Sequence, residues 1–310
     1  MKGMILAAGF GERLRPITKE LPKPLVPLAN IPIIKYNLYL LKKSGISEVI
    51  INLHYKAQDI INEIGNGKDI DMKIEYSYEA SLLGTGGGIK KAQSFLGKDT
   101  CLVINCDILI DFDLNKCIEF HKRNNGIVTM ILIDGGEEIL VDSKGIVIDI
   151  LSLLGKNKSS FRGGKFTGIH IIEPSILKDI EENRFLCINR DIYTSLISKG
   201  ERIFGYFVDG YFMDIGTVDR YYKSNMDILN GKVKIPFDIE VKDSLIVGRD
   251  CKIAKGAKIK NRVILGDNVS VEEGAVIENS IIWKEARIGP YEKIKGMIVT
   301  KSLNKIKVLT

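Results

Sequence analysis

Cysteine is sparse in this chain: Cys101, Cys106, Cys117, Cys187 and Cys251, odd in number and never in a Cys-x-x-Cys pair. That scatter excludes a thiolate zinc site and a disulfide framework, and fits free thiols in a reducing cytoplasm. Cys106 reads as a small buried residue. Histidine is scarcer: His54, His121 and His170 stand in no nucleophile–base motif, and none follows His170. Long apolar runs are missing too. No stretch approaches the ~18 residues of a membrane-spanning helix. The opening Met1-Lys2-Gly3-Met4-Ile5-Leu6 turns polar too soon for a signal peptide. A cytoplasmic protein with no membrane partner is therefore expected. Blocks of like charge are also lacking. The net charge of +6 is spread along the chain, which argues against a nucleic-acid partner and suits small anionic substrates.

What is present points to two domains. The 310 residues, 45% apolar and 27% charged, suffice for one large core and a smaller unit. Up to Asn230, short apolar runs at 4–8, 49–53, 74–76 and 102–105 alternate with amphipathic stretches at 33–43, 57–64, 89–95 and 114–124. That order predicts right-handed βαβ units in an α/β fold, a Rossmann-like doubly wound sheet. Further strands at 128–133, 139–142, 146–150 and 166–172 predict a mixed second half, with a loop over 156–165. In such sheets ligands bind beyond the carboxyl ends of the strands.

After Asn230 the pattern changes. Val247, Ile253, Ile259, Leu265, Val271 and Ile277 recur every six residues, and Asp243-Ser244-Leu245-Ile246, Asn261-Arg262-Val263-Ile264 and Asn279-Ser280-Ile281-Ile282 repeat at three times that period. This is the hexapeptide signature of a short parallel β-helix of three coils. The third coil loses a residue near 283–287, and the pattern fades past Tyr291. Residues 1–235 and 236–310 are the expected domains. A prism so short has open ends, so it is expected to pack on the large domain or on another subunit.

The most informative segment is Leu6-Ala7-Ala8-Gly9-Phe10-Gly11-Glu12-Arg13-Leu14-Arg15-Pro16, followed by Leu21-Pro22-Lys23-Pro24-Leu25-Val26-Pro27. Small residues after a strand let a polyphosphate approach backbone N–H groups, and Arg13 and Lys23 can neutralise it. A dinucleotide-binding turn would need a third glycine where Leu14 stands. Arg13, Arg15 and Lys23 could otherwise be surface charges, and Asp107 and Asp214 could be helix caps.

These motifs, with Leu83-Gly84-Thr85-Gly86-Gly87-Gly88, Val103-Ile104-Asn105-Cys106-Asp107, Phe166-Thr167-Gly168-Ile169-His170 and Tyr211-Phe212-Met213-Asp214-Ile215-Gly216-Thr217, resemble the sugar-1-phosphate nucleotidyltransferase family over nearly the whole chain. The resemblance implies that an NTP and a sugar 1-phosphate are converted to an NDP-sugar and pyrophosphate. It implies that backbone from Leu6, Ala7, Ala8, Gly9 and Gly11, with Gly84 and Thr85, frames the nucleotide. It implies further that Arg13 assists pyrophosphate departure, Lys23 bridges the two phosphates, Asp107 and Asp214 hold Mg²⁺, Gly168 contacts the sugar, and the C-terminal β-helix is left-handed. A homo-oligomer is expected. The sugar-phosphate nucleophile is already ionised at pH 7, since its second pKa is ~6, so no general base is needed.

One departure stands out. The family's Glu-Lys-Pro is absent, and the corresponding stretch reads Ile150-Leu151-Ser152-Leu153-Leu154-Gly155. Lys165 and Arg190 are candidates for the sugar-phosphate cation, and Lys156 is a third. The chain is most similar to mannose-1-phosphate guanylyltransferases and to N-acetylmuramate-1-phosphate uridylyltransferases. The latter usually lack the β-helix, which favours the former. Uridylyl or thymidylyl transfer to N-acetylmuramate or glucose 1-phosphate stays open, as does a non-catalytic regulatory subunit of the same fold. Acyl transfer by the β-helix is disfavoured, because such sites usually use a histidine.

Overall fold

The computed structural model describes residues 1–302 and 305–308. It divides into two compact units, each discontinuous in sequence. The first joins Met1–Phe10, Asn37–Ile108 and Phe112–Phe212; the second joins Gly11–Tyr36, Leu109–Asp111 and the chain from Met213 onward.

The first unit is built on a mixed sheet. Its strands are β1 (Lys2–Leu6), β2 (Glu48–Leu53), β3 (Lys73–Tyr78), β4 (Cys101–Asn105), β5 (Val128–Val141), β6 (Val147–Ile150), β7 (Arg162–Ile172) and β8 (Ile203–Phe207). They lie in the order β8-β5-β7-β4-β1-β2-β3, with β6 beside β5. Strands β1 to β4 are mutually parallel, and β7 runs antiparallel to both β4 and β5. The parallel strands are near-continuous apolar runs. Met4 and Ile5 point to opposite faces yet both are buried, so the sheet is covered on both sides. The chain order reverses between β1 and β4, the switch point where α/β sheets open a ligand crevice. Leu6 pairs with Asn105 there, so 7–9 and 106–107 leave the sheet side by side.

Helices Ile33–Lys43, Ala57–Ile64 and Leu114–Asn124 have the expected bounds. The glycine run differs from expectation. Instead of a turn before a helix at 89–95, residues Gly84–Lys91 are helical and a second short helix, Gln93–Leu96, follows. Packing overrides the poor helix propensity of glycine. A Cβ on Gly87 would lie 2.3 Å from the Arg184 carbonyl oxygen, so only glycine lets this helix meet the 184–188 segment. The strands expected at 128–133 and 139–142 are one strand, β5. Where the apolar pattern lapses, the strand bulges out of register with β7 between Asp134 and Leu140 yet stays close to it: a Cβ on Gly163 would lie 2.4 Å from the Gly136 carbonyl oxygen. The expected loop 156–165 is shorter, because Arg162 to Lys165 belong to β7, with the Arg162 guanidinium 3.6 Å from the centre of the Phe207 ring.

In the second unit a helix, Val218–Leu229, packs against a stack of parallel strands. Leu245 aligns with Val263 and Lys258 with Val276, eighteen residues on; Val263 aligns with Ser280 and Ser270 with Arg287, seventeen on. The lost residue thus falls between Glu278 and Ser280, earlier than expected. Three series of left-handed residues mark three corners per turn: Asp243, Asn261, Asn279 and Gly296; Asp250, Asn268 and Glu285; Gly256, Gly274 and Tyr291. Leu265, Val271 and Ile277 are buried inside as expected. Val247 and Ile253 are instead exposed, at 46% and 43%, because the first turn has a neighbour on one side only. The stack also continues past Tyr291. Lys293–Lys295 and Met297–Val299 pair in parallel with Val276–Ile282, burying Ile294 and Val299. Lys305–Lys307 then closes the ladder by pairing antiparallel with Met297–Val299.

Candidate active site

In the first unit the predicted nucleotide residues other than Gly11 gather at the carboxyl ends of three strands. Leu6 ends β1, and its carbonyl oxygen accepts from the Cys106 N–H at 3.1 Å. The Ala7 N–H donates to Asn52 Oδ1 at 2.7 Å. Ala8 is buried, Gly9 faces open space, and Phe10 stacks edge-on against His54 and Tyr55. Gly84, at φ +68, opens its helix, and a Cβ there would lie 2.6 Å from the Leu186 carbonyl oxygen. Thr85 Oγ1 accepts from the Ile188 N–H at 2.8 Å. The start of this helix is thereby held against the 186–188 segment.

Asp107 lies in the tight turn after β4. It is no helix cap: Asp113 fills that role, its carboxylate accepting from the Asn115 N–H at 3.0 Å. Cys106 is buried, as read from the sequence. Gly168, at φ +82, sits against Asn105, where a Cβ would lie 2.5 Å from the amide nitrogen.

In the second unit Gly11, at φ +66, turns the chain into a 3-10 turn, Glu12–Leu14, carrying Arg13. Thr18 Oγ1 donates to the Gly11 carbonyl at 2.9 Å, and a Cβ on Gly11 would press within 3.2 Å of Lys23 Cβ. Arg13 and Asp214 meet over Gly216, whose missing Cβ would lie 2.9 Å from Arg13 Nη2 and 2.7 Å from Asp214 Oδ1. The other Asp214 oxygen accepts from Arg220 Nη1 at 2.7 Å. Here too the cap reading fails, because Thr217 Oγ1 caps the helix by accepting from the Arg220 N–H. Arg15 instead faces solvent beside Glu12.

The candidate sugar-phosphate cations differ in setting. Lys165 is half-buried on β7, its Nζ 5.9 Å from the centre of the Phe212 ring. Arg190 is exposed and turned to Asp191, donating from Nε at 2.9 Å; that guanidinium holds the Asp191 carboxyl below the usual carboxylate range. Lys156 donates its backbone N–H to the buried Asp149 at 2.9 Å, and Leu154 does the same. Asp149, Asn52, Glu79 and Arg220 are site-shaping residues that sequence reading missed. Asp149 orders the very stretch that departs from the Glu-Lys-Pro pattern. An open cavity of about 920 Å³ in the second unit, lined by Tyr222, Met226, Arg262 and Asn279 among others, contains none of the predicted site residues.

Comparison with known proteins identifies the family. The family model described as nucleotidyl transferase matches residues 2–231, and that of the GMPPB C-terminal domain matches residues 226–307. The chain is 32% identical over 269 residues to a UTP–glucose-1-phosphate uridylyltransferase of Synechocystis, covering 80% of this chain and 69% of the relative. It is 31% identical over 239 residues to a mannose-1-phosphate guanylyltransferase of Mycobacterium tuberculosis, covering 75% of this chain and 66% of the relative. It thus spans about two thirds of the length of these curated relatives. A solved structure from Bacillus anthracis, described as a glucose-1-phosphate thymidylyltransferase, matches with a TM-score of 0.65 at 25% identity, over 76% of this chain and 97% of that one. The matched model covers well over half of the sequence, and the chain belongs to the nucleotidyl transferase family.

Proposed function

We propose that the protein joins an NTP to a sugar 1-phosphate, releasing pyrophosphate and an NDP-sugar, in the manner of the mannose-1-phosphate guanylyltransferases it resembles. The observation that carries this reading is the match of both halves in order, a nucleotidyl transferase followed by a GMPPB C-terminal domain. A phosphate oxygen of the sugar phosphate attacks the α-phosphorus in line. A new P–O bond forms, and the bond to the β-phosphate breaks with its electrons leaving on pyrophosphate. Charge stabilisation and alignment do the work. Leu6 to Gly9 and Gly11, with Gly84 and Thr85, frame the nucleotide, Arg13 steadies the departing pyrophosphate, and Lys23 bridges the reacting phosphates. Gly168 leaves room for the sugar, with Lys165 or Arg190 on its phosphate.

Asp107 and Asp214 are the residues we assign to Mg²⁺. A hard cation of this kind is held by one or two carboxylates plus substrate oxygens. Mg²⁺ there would neutralise charge on the transferring phosphates. We read residues 1–235 as the catalytic domain and 236–310 as a left-handed β-helix, in a cytoplasmic homo-oligomer. Among the described residues no helix is long and apolar enough to cross a membrane. The similarity to a glucose-1-phosphate uridylyltransferase supports a second reading, uridylyl transfer to glucose 1-phosphate. Pyrophosphate release with Mg²⁺ across NTPs and sugar phosphates tests both. GTP with mannose 1-phosphate is expected to react fastest; silence across the panel would favour a regulatory subunit.

A further inference from the structure

A buried polar chain joins the two segments assigned to the nucleotide. The Ala7 N–H donates to Asn52 Oδ1 at 2.7 Å, Asn52 Nδ2 donates to Glu79 Oε1 at 2.7 Å, and the Leu83 N–H donates to Glu79 Oε2 at 2.9 Å. Asn52 is 2% exposed and Glu79 is fully buried. His54 Nδ1 lies 2.8 Å from the Glu79 carbonyl oxygen, holding the backbone of the same residue. The Gly84–Lys91 helix rests directly on the pair: a Cβ on Gly88 would lie 2.7 Å from Asn52 Nδ2 and 2.8 Å from Glu79 Oε1. We propose that Asn52 and Glu79 act together as positioning residues that set the spacing between the Ala7–Gly9 turn and the Gly84–Thr85 start of the helix. This rests on the reading of those two segments as the nucleotide pocket.

The chemistry of the chain makes the pairing specific. Both ends are backbone N–H donors, from Ala7 and Leu83. Between two donors, the intervening side chains must offer an acceptor at each end and a donor–acceptor contact in the middle. One amide and one carboxylate satisfy every contact, in either order. Two amides leave one donor facing a donor, and two carboxylates press negative oxygens together. Glu79→Gln and Asn52→Asp should therefore each disrupt the link. The exchanged double variant, Asn52→Asp with Glu79→Gln, should restore it. Its carboxylate, now on the β2 side, would accept from the Ala7 N–H and from the new amide, whose oxygen would accept from the Leu83 N–H.

Steady-state kinetics and amide hydrogen exchange test this. Each single variant is expected to raise the KM for NTP about tenfold, through an unsatisfied buried donor in Glu79→Gln and facing carboxylates in Asn52→Asp, while the KM for sugar phosphate moves less than about twofold. Exchange should quicken at both Ala7 and Leu83, and the double variant should return both measures to within about threefold of wild type. A role in packing alone would lower stability without separating the two KM values. Singles with unchanged NTP KM, or a double variant as impaired as the worse single, would overturn the proposal. If the singles do not fold, a folded double variant with near wild-type exchange supports it and an unfolded one refutes it. Exchange is read without substrate, so an inactive wild type would sink the reaction assignment and leave this test standing.

Discussion

Gly168 and Asp107, proposed above for the sugar and for Mg²⁺, lead to different predictions. Gly168 combines a left-handed backbone with the close approach of Asn105, so Gly168→Ala meets both strain and a clash. The cost is about 1–3 kcal/mol, read as a lower Tm together with a raised KM for sugar phosphate. Asp107→Ala should abolish pyrophosphate release while leaving the protein folded, because Asp113 and not Asp107 caps the helix that follows; wild-type turnover in this variant would refute the metal assignment. His170 gives a pH prediction. Burial pushes its pKa from 6.5 down to about 3. Between those values the unfolded chain takes up a proton that the folded chain refuses, so stability falls as pH drops, by at most about 1.4 kcal/mol per pH unit. His170→Gln is expected to flatten the decline of Tm between about pH 6 and pH 4. At this scale Arg13, Lys23, Asp107 and Asp214 stand out as candidates in the sequence because charge and glycine stand in short contiguous motifs. Asn52 and Glu79 do not, since 27 residues separate them and only the pairing of β2 with β3 brings their strand ends together.

Three helices were read to the residue from amphipathic spacing alone, yet the glycine helix Gly84–Lys91 was not. Its sequence argues for a turn; the groove it fills, against residues 184–188, is a tertiary fact. Gly87→Ala should therefore push this helix off Arg184 rather than strengthen it, and is expected to lower Tm and raise the KM for NTP, although alanine is the better helix former. The strand stack tells the opposite story. Its six-residue rhythm was legible because each turn repeats one local solution. Its last turn was not, because Lys293 to Val299 keep the buried positions, Ile294 and Val299, but shift by one residue.

The second unit gathers the Arg13 and Lys23 segment together with the C-terminal strands. Tyr221 Oη donates to the Pro27 carbonyl at 2.8 Å and accepts from Trp283 Nε1 at 2.9 Å. Asn225 Oδ1 accepts from the Ala29 N–H, Asn30 Nδ2 donates to the Leu265 carbonyl, and Thr300 donates to Glu20. Removing the chain from Ile239 onward should thus cost activity as well as solubility, because it takes away the Trp283, Leu265 and Thr300 contacts that hold this segment. A truncated protein with wild-type kcat would contradict that dependence. Lys305–Lys307 is the last strand among the described residues. It turns the ladder back on itself and carries a lysine at each end. A short, reversed strand flanked by lysines is a poor template for pairing with a further strand.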